Sequence, residues 1–324
     1  MHSNAMRRNQ ESLLIRNIIG VSGSDPYYAL LVSYYESDPL NVAGQLIQFS
    51  ADRESQLVMA LSCDDPLSSV WVSPQGSIWA ASAAGTVWTT SDRVDSAAPE
   101  HETAIGGLRW HRFELPPVPE KGPPNVACLF GRSDDEIYAG TFQGVIYFWD
   151  GAAWRLMEGM AKAPLLKIHG GSGDELYAVG MHSVVLRLRR GRWLSMPMPD
   201  GVADTICRGL RVVKGVAYIC TRSGLLLEAR ESLRVLASVE TRLTSVSTVE
   251  GRVLVGSAPG GAWEYREGAL LPLKSNFHTI DAYDGGDRVF FIESEQKPQP
   301  RVVEYAPAET EAPWGRRSFP IEGR

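Results

Sequence analysis

A pattern of about 46 residues recurs seven times along the 324-residue chain, and no other feature restricts its fold so strongly. Two stretches display it best: DDEIYAGTFQGVIYFWDGAAWRLM from Asp134 and GDELYAVGMHSVVLRLRRGRWLSM from Gly173. Each reads as an apolar run, a turn, an alternating run, a Gly-containing turn and a run carrying Trp. The same frame extends both ways, with an aromatic or large apolar residue recurring at Tyr28, Trp79, Tyr138, Tyr177, Tyr218, Leu254 and Phe290. The runs are short, rich in Val, Ile, Tyr and Trp, and bounded by Gly, Ser, Asp and Pro, which is strand chemistry. No long stretch keeps apolar residues at helical spacing. One four-stranded unit cannot cover both of its faces, whereas seven packed around an axis can. The pattern therefore predicts an all-β, seven-bladed β-propeller with four antiparallel strands per blade, six or eight blades being the neighbouring counts. The propeller is expected to fill residues 11–321 as one domain. Residues 1–10 read as a tag scar, MHSNA, with a disordered N-terminus, and 322–324 as a C-terminal tail within IEGR, which matches an engineered protease site and could equally be a natural ending.

The third and fourth units resemble a bacterial propeller repeat of the form D-x-[VIL]-Y-A-V-G-x-x-G-x-I-x-x-[YW]-D-G-x-x-W. The motif positions are Asp134, Tyr138, Gly140, Gly144, Asp150, Gly151 and Trp154, then Asp174, Tyr177, Gly180 and Trp193. This repeat is similar to those of BNR and photosystem-assembly-factor-like propellers, within the YVTN/WD40-like group. The second unit keeps Trp79, Gly85, Trp88 and the pair Ser91-Asp92, which resembles the start of the sialidase-type Asp box. The insertion RVDSAAPEHETAIGG replaces the rest of that box. Units five to seven keep the strand pattern and little of the motif. The resemblance implies a fold and no activity.

Composition narrows the function classes. With 32 Lys+Arg against 38 Asp+Glu the net charge is −6, which argues against nucleic acid as a partner. No run approaches the ~18 apolar residues of a membrane span, and the N-terminus lacks a secretion signal's apolar core. Cys63, Cys128, Cys207 and Cys220 contain no close pair, so reduced thiols in a cytoplasmic protein are expected. His101, Glu102 and His111 lack fixed ligand geometry, and neither a metal nor a cofactor is expected. There is no P-loop, dinucleotide fingerprint or nucleophile elbow.

Turns between second and third strands share one propeller face with the blade junctions, and that face is the expected recognition surface. Its candidates for partner binding are Tyr34, Tyr35, Glu36 and Asp38 in one aromatic-acidic loop, with Phe142, Gln143, His182, Arg222, Phe277 and His278. Tyrosine offers contact area and a hydroxyl at low entropic cost, and the acidic groups would steer a basic partner. The leading expectation is a monomeric, non-enzymatic interaction module, an accessory, assembly or toxin-neutralising protein whose partner is another protein. The alternative is a carbohydrate-binding or glycoside-hydrolysing propeller acting at the channel mouth. That chemistry needs two carboxylates on opposite sides of a bond, drawn from Glu36, Asp38, Asp64, Asp65 and Asp281.

Overall fold

The computed structural model describes residues 11–20, 26–35, 38–50, 52, 57–94, 103–105, 107–157, 161, 163–171, 175–294 and 299–319. Every regular element among them is a strand. Blade 1 holds β1 (Glu11–Gly20), β2 (Tyr27–Tyr35), β3 (Asp38–Phe49) and β4 (Val58–Cys63). Blade 2 holds β5 (Leu67–Val72), β6 (Ile78–Ser82), β7 (Thr86–Thr89), β8 (Thr103–Ile105) and β9 (Leu108–Glu114). Blade 3 holds β10 (Val126–Ser133), β11 (Glu136–Thr141), β12 (Ile146–Trp149) and β13 (Trp154–Leu156). Blade 4 holds β14 (Leu165–Gly170), β15 (Leu176–Gly180), β16 (Val185–Arg189) and β17 (Arg192–Ser195). Blade 5 holds β18 (Cys207–Val213), β19 (Val216–Thr221), β20 (Leu225–Ala229) and β21 (Leu233–Ser238). Blade 6 holds β22 (Leu243–Val249), β23 (Arg252–Ser257), β24 (Gly261–Arg266) and β25 (Ala269–Lys274). Blade 7 holds β26 (Thr279–Asp284), β27 (Val289–Glu293), β28 (Arg301–Tyr305) and β29 (Trp314–Ser318).

Six sheets are antiparallel meanders of consecutive strands, blade 2 runs β5-β6-β7-β9-β8, and the seven-bladed architecture stands as expected. One detail departs from four strands per blade. The insertion after Asp92 returns as β8, which pairs outside β9 and gives blade 2 a fifth strand. The first strands β1, β5, β10, β14, β18, β22 and β26 touch in an unbroken circle, so they surround the axis.

Among the described residues, no sheet mixes strands from the two ends of the chain. The ring closes by side-chain packing of blade 1 on blade 7. Ile15, Ile18, Tyr27, Phe49, Phe290 and Phe319 share one buried cluster there. The Tyr27 hydroxyl donates to the Gly285 carbonyl at 3.1 Å, and the Arg317 guanidinium lies 5.0 Å from the Phe49 ring centre. Interlocking aromatic rings give this seam area and directionality together.

Adjacent blades are also joined by polar contacts. Asp134, only 4% exposed, accepts from Trp79 Nε1 at 3.0 Å and from Ser77 Oγ at 2.9 Å across the blade 2–3 boundary. Its own carbonyl accepts from Trp149 Nε1 at 2.9 Å. The motif aspartate thus satisfies buried donors that would otherwise be costly.

Candidate functional site

Backbone register builds the axial site. Each of the seven first strands carries a β-bulge at the equivalent place, where one residue faces no partner on the second strand. The extra residues are Arg16, Ser68, Ala127, Leu166, Arg208, Thr244 and Ile280. A bulge bends its strand and re-aims side chains, so these residues form a ring around the channel on the turn-bearing face.

Deeper along the axis lies a cavity of about 410 Å³ lined entirely by first-strand residues, with every blade represented. Its polar groups form two clusters. In one, Lys167 Nζ lies 2.7 Å from Asp281 Oδ1. The Tyr283 hydroxyl donates to Asp281 Oδ2 at 2.8 Å, and Lys167 Nζ sits 4.7 Å from the Tyr283 ring centre. Burial, with the adjacent Asp281 carboxylate, drives the Tyr283 phenol well above its ordinary range. In the other, Arg211 Nη2 meets Asp284 Oδ2 at 2.5 Å, and Thr248 donates to the same carboxylate from its hydroxyl at 2.7 Å and its N–H at 3.0 Å. His169 lies beside this cluster, Nε2 at 2.8 Å from Arg211 Nη1 and its ring 4.8 Å from the Phe130 ring. Burial, then the charges of Arg211 and Lys167, hold its imidazole well below the ordinary value, so it is neutral near pH 7.

The turn-bearing face opens a second cavity of about 600 Å³ over blades 1–3, walled by Leu14, Val32, Val42, Leu67 and Phe142, with Arg16 at its edge. Local chemistry fixes Phe142. Thr141 Oγ1 donates to the Val145 carbonyl at 3.1 Å, and the Phe142 N–H donates to the Asn125 carbonyl at 2.8 Å. Gly144 closes the turn at φ 79°, where a Cβ would lie 2.5 Å from the Ala161 carbonyl oxygen. The ring is left 40% exposed.

The other sequence candidates divide. His182 and Ser183 form a tight turn with φ of 51° and 56°, and both bind Asp204, from His182 Nδ1 at 3.0 Å and from Ser183 Oγ at 3.0 Å. These bonds hold the Asp204 carboxyl below its ordinary value. His182, Arg222 and His278 are exposed on the expected face. Gln143 is spent internally: its amide oxygen accepts from the Asn125 N–H at 2.9 Å and its amide nitrogen donates to the Pro123 carbonyl at 2.8 Å.

Phe277 corrects the expectation of an interface aromatic. It is 5% exposed and packs on Phe291 and Trp314, because the blade 6–7 junction must cap the core between those sheets. Tyr34 and Tyr35, expected in a loop, continue β2, and Asp38 opens β3, since the alternating pattern of this long hairpin runs on almost to the turn. Glu36 and His101 lie outside the described residues. Among the described residues, no three His, Cys, Asp or Glu side chains are placed to hold a metal.

Of the carboxylates considered for sugar hydrolysis, Asp281 does face the channel, but both axial carboxylates are tied to cations. Sequence reasoning did not single out Lys167, His169, Arg211, Tyr283 or Asp284. The available signal was a charged or polar residue inside otherwise apolar first strands, as in LLKIHG and TIDAYD.

No family model and no curated protein matches the sequence. Solved structures do resemble the fold. A virginiamycin B lyase from Staphylococcus aureus aligns with TM-score 0.58 at 13% identity, covering 87% of this chain and 95% of that one. The WD40 propeller domain of Doa1 aligns with TM-score 0.60 at 13% identity, covering 89% and 95%. A chain of the mitotic checkpoint complex gives TM-score 0.60 at 12% identity, covering 86% and 91%. At these identities the likeness is one of fold. It nevertheless overturns the expectation of a non-enzyme: the same architecture at the same similarity includes lyases, so the propeller gives no ground for excluding catalysis.

Proposed function

We propose that the protein is a recognition propeller that binds another protein across its turn-bearing face. The observation that carries this reading is the apolar cavity of about 600 Å³ opening beside the exposed Phe142 ring. A rigid ring holds that cavity while the turns around it differ in sequence from blade to blade, which is how a scaffold presents contact residues. His182, Arg222 and His278 would complete a polar rim. The fold shared with WD40 domains supports the reading at the level of architecture.

Affinity capture from the source organism tests it. The wild-type chain is expected to retain a partner that Phe142→Asp loses at least about tenfold, a charge buried in an apolar contact being costly. Arg266→Gln, on the opposite face, should leave capture unchanged. A partner held equally by wild type and Phe142→Asp would overturn the assignment.

A second reading is favoured by the contact among Lys167, Asp281 and Tyr283 within the lumen. An amine, a carboxylate and a phenol in mutual contact can hold and exchange protons, so the axial cavity is also a candidate for chemistry on a small molecule.

A further inference from the structure

We infer that the axial mouth binds a small oxyanion, a phosphate or carboxylate group, between Arg16 and Arg208. The axial cavity is lined by three cations, Arg16, Lys167 and Arg211, and two carboxylates, Asp281 and Asp284, and Arg208 holds the bulge position of blade 5 equivalent to that of Arg16. Asp281 is taken by Lys167, and Asp284 by Arg211. Neither Arg16 nor Arg208 lies in ion-pair contact with a described carboxylate. His169 supplies no charge near pH 7 and adds no counter-ion. A chain of net charge −6 thus brings two cations, Arg16 and Arg208, to its axial mouth outside the described ion pairs. Their field is focused by low-dielectric walls and attracts anions.

Geometry agrees with the charge. Arg16 and Arg208 are the bulge residues of β1 and β18, so they occupy one ring at the same depth. Arg16 lines both the axial cavity and the cavity beside Phe142. Arg208 is exposed at its bulge, on the strand whose Leu210 and Arg211 line the axial cavity. Beneath the ring, the Lys167–Asp281 pair joins blade 4 to blade 7 and forms a polar floor. An oxyanion at the mouth would meet planar guanidinium forks suited to paired hydrogen bonds. The two readings share Arg16 but differ in ligand, and Arg208 belongs to the anion site alone.

Calorimetric titration of the full chain with sodium phosphate, and separately with disodium succinate, tests the inference at constant ionic strength. Saturable binding of at least one anion is expected, and the tighter arm identifies the head group. Arg208→Gln and Arg16→Gln should each weaken it about tenfold. Arg266→Gln, remote from the axis, should not. Both arginines are exposed, so circular dichroism of the variants is expected to match the parent. Absence of saturable binding for both anions, or binding indifferent to both axial substitutions, would overturn the site.

Discussion

Lys167 and Asp281 belong to the fourth and seventh blades, which are not neighbours in the ring, yet their side chains meet at 2.7 Å across the axis. Both are mostly shielded, at 19% and 16% side-chain exposure, so solvent screens the pair only partly. The bridge links two sheets that share no hydrogen-bonded strands.

Removing one end of this bridge should cost more than removing both. Asp281→Asn strands the Lys167 charge and is expected to lower stability by about 2–3 kcal/mol. Lys167→Met combined with Asp281→Asn should recover part of that loss. Urea unfolding of the four members of this cycle gives the coupling, and a value near zero would show that the contact is energetically idle.

Asp134 offers a second test of how blades are joined. Asp134→Ala leaves Trp79 Nε1 and Ser77 Oγ without their acceptor in a buried place. A loss of about 2–4 kcal/mol is expected, with Asp134→Asn milder because it keeps an acceptor oxygen. Guanidinium melts followed by tryptophan fluorescence would measure it. Equal stability of the Ala and Asn variants would contradict the assigned role.

His169 sets a pH dependence. Its folded-state value lies well below the ordinary 6.5, so below that pH the unfolded chain binds a proton that the native chain refuses. Stability is therefore complete above about pH 6.5 and falls as the solution is acidified toward the native value, by up to about 1.4 kcal/mol per pH unit. The carboxylates held low, Asp204, Glu228, Glu231 and Glu264, add their own losses only below their ordinary values of 3.8 to 4.5. Denaturation midpoints between pH 7 and 5 isolate the histidine, and His169→Gln should flatten the slope. A slope that survives this substitution would assign the effect elsewhere.

Thiol reactivity follows from burial. Desolvation pushes all four cysteines, Cys63, Cys128, Cys207 and Cys220, up to about 12. The thiolate is the reactive form, so at pH 8 the native chain should label slowly with a disulfide reagent, while denaturant releases all four thiols. Rapid native labelling of any one would show that its surroundings open.

Phe142 and Phe277 show where reading along the chain stops. Both sit in turn-like segments with similar neighbours, and both were candidates for an exposed contact. Only packing separates them: the Phe142 ring is pushed outward by a turn locked through Thr141 and Gly144, whereas Phe277 falls between two sheets. The axial cluster was hidden for a related reason. Lys167, His169, Arg211, Asp281 and Asp284 are spread over three blades, more than a hundred residues apart at the extremes. No local pattern announces that they converge.

The repeat, the alternation and the turn residues by themselves determined seven small sheets and, the added β8 aside, their antiparallel strand pattern. These are local properties, set by side-chain periodicity within each run and by backbone preference at each turn. The tertiary structure alone decided the seam between blades 1 and 7, the ring of bulge residues and the pairing of charges on the axis. Those depend on which strands become innermost when the sheets close into a circle, and closure is a relation among all seven blades.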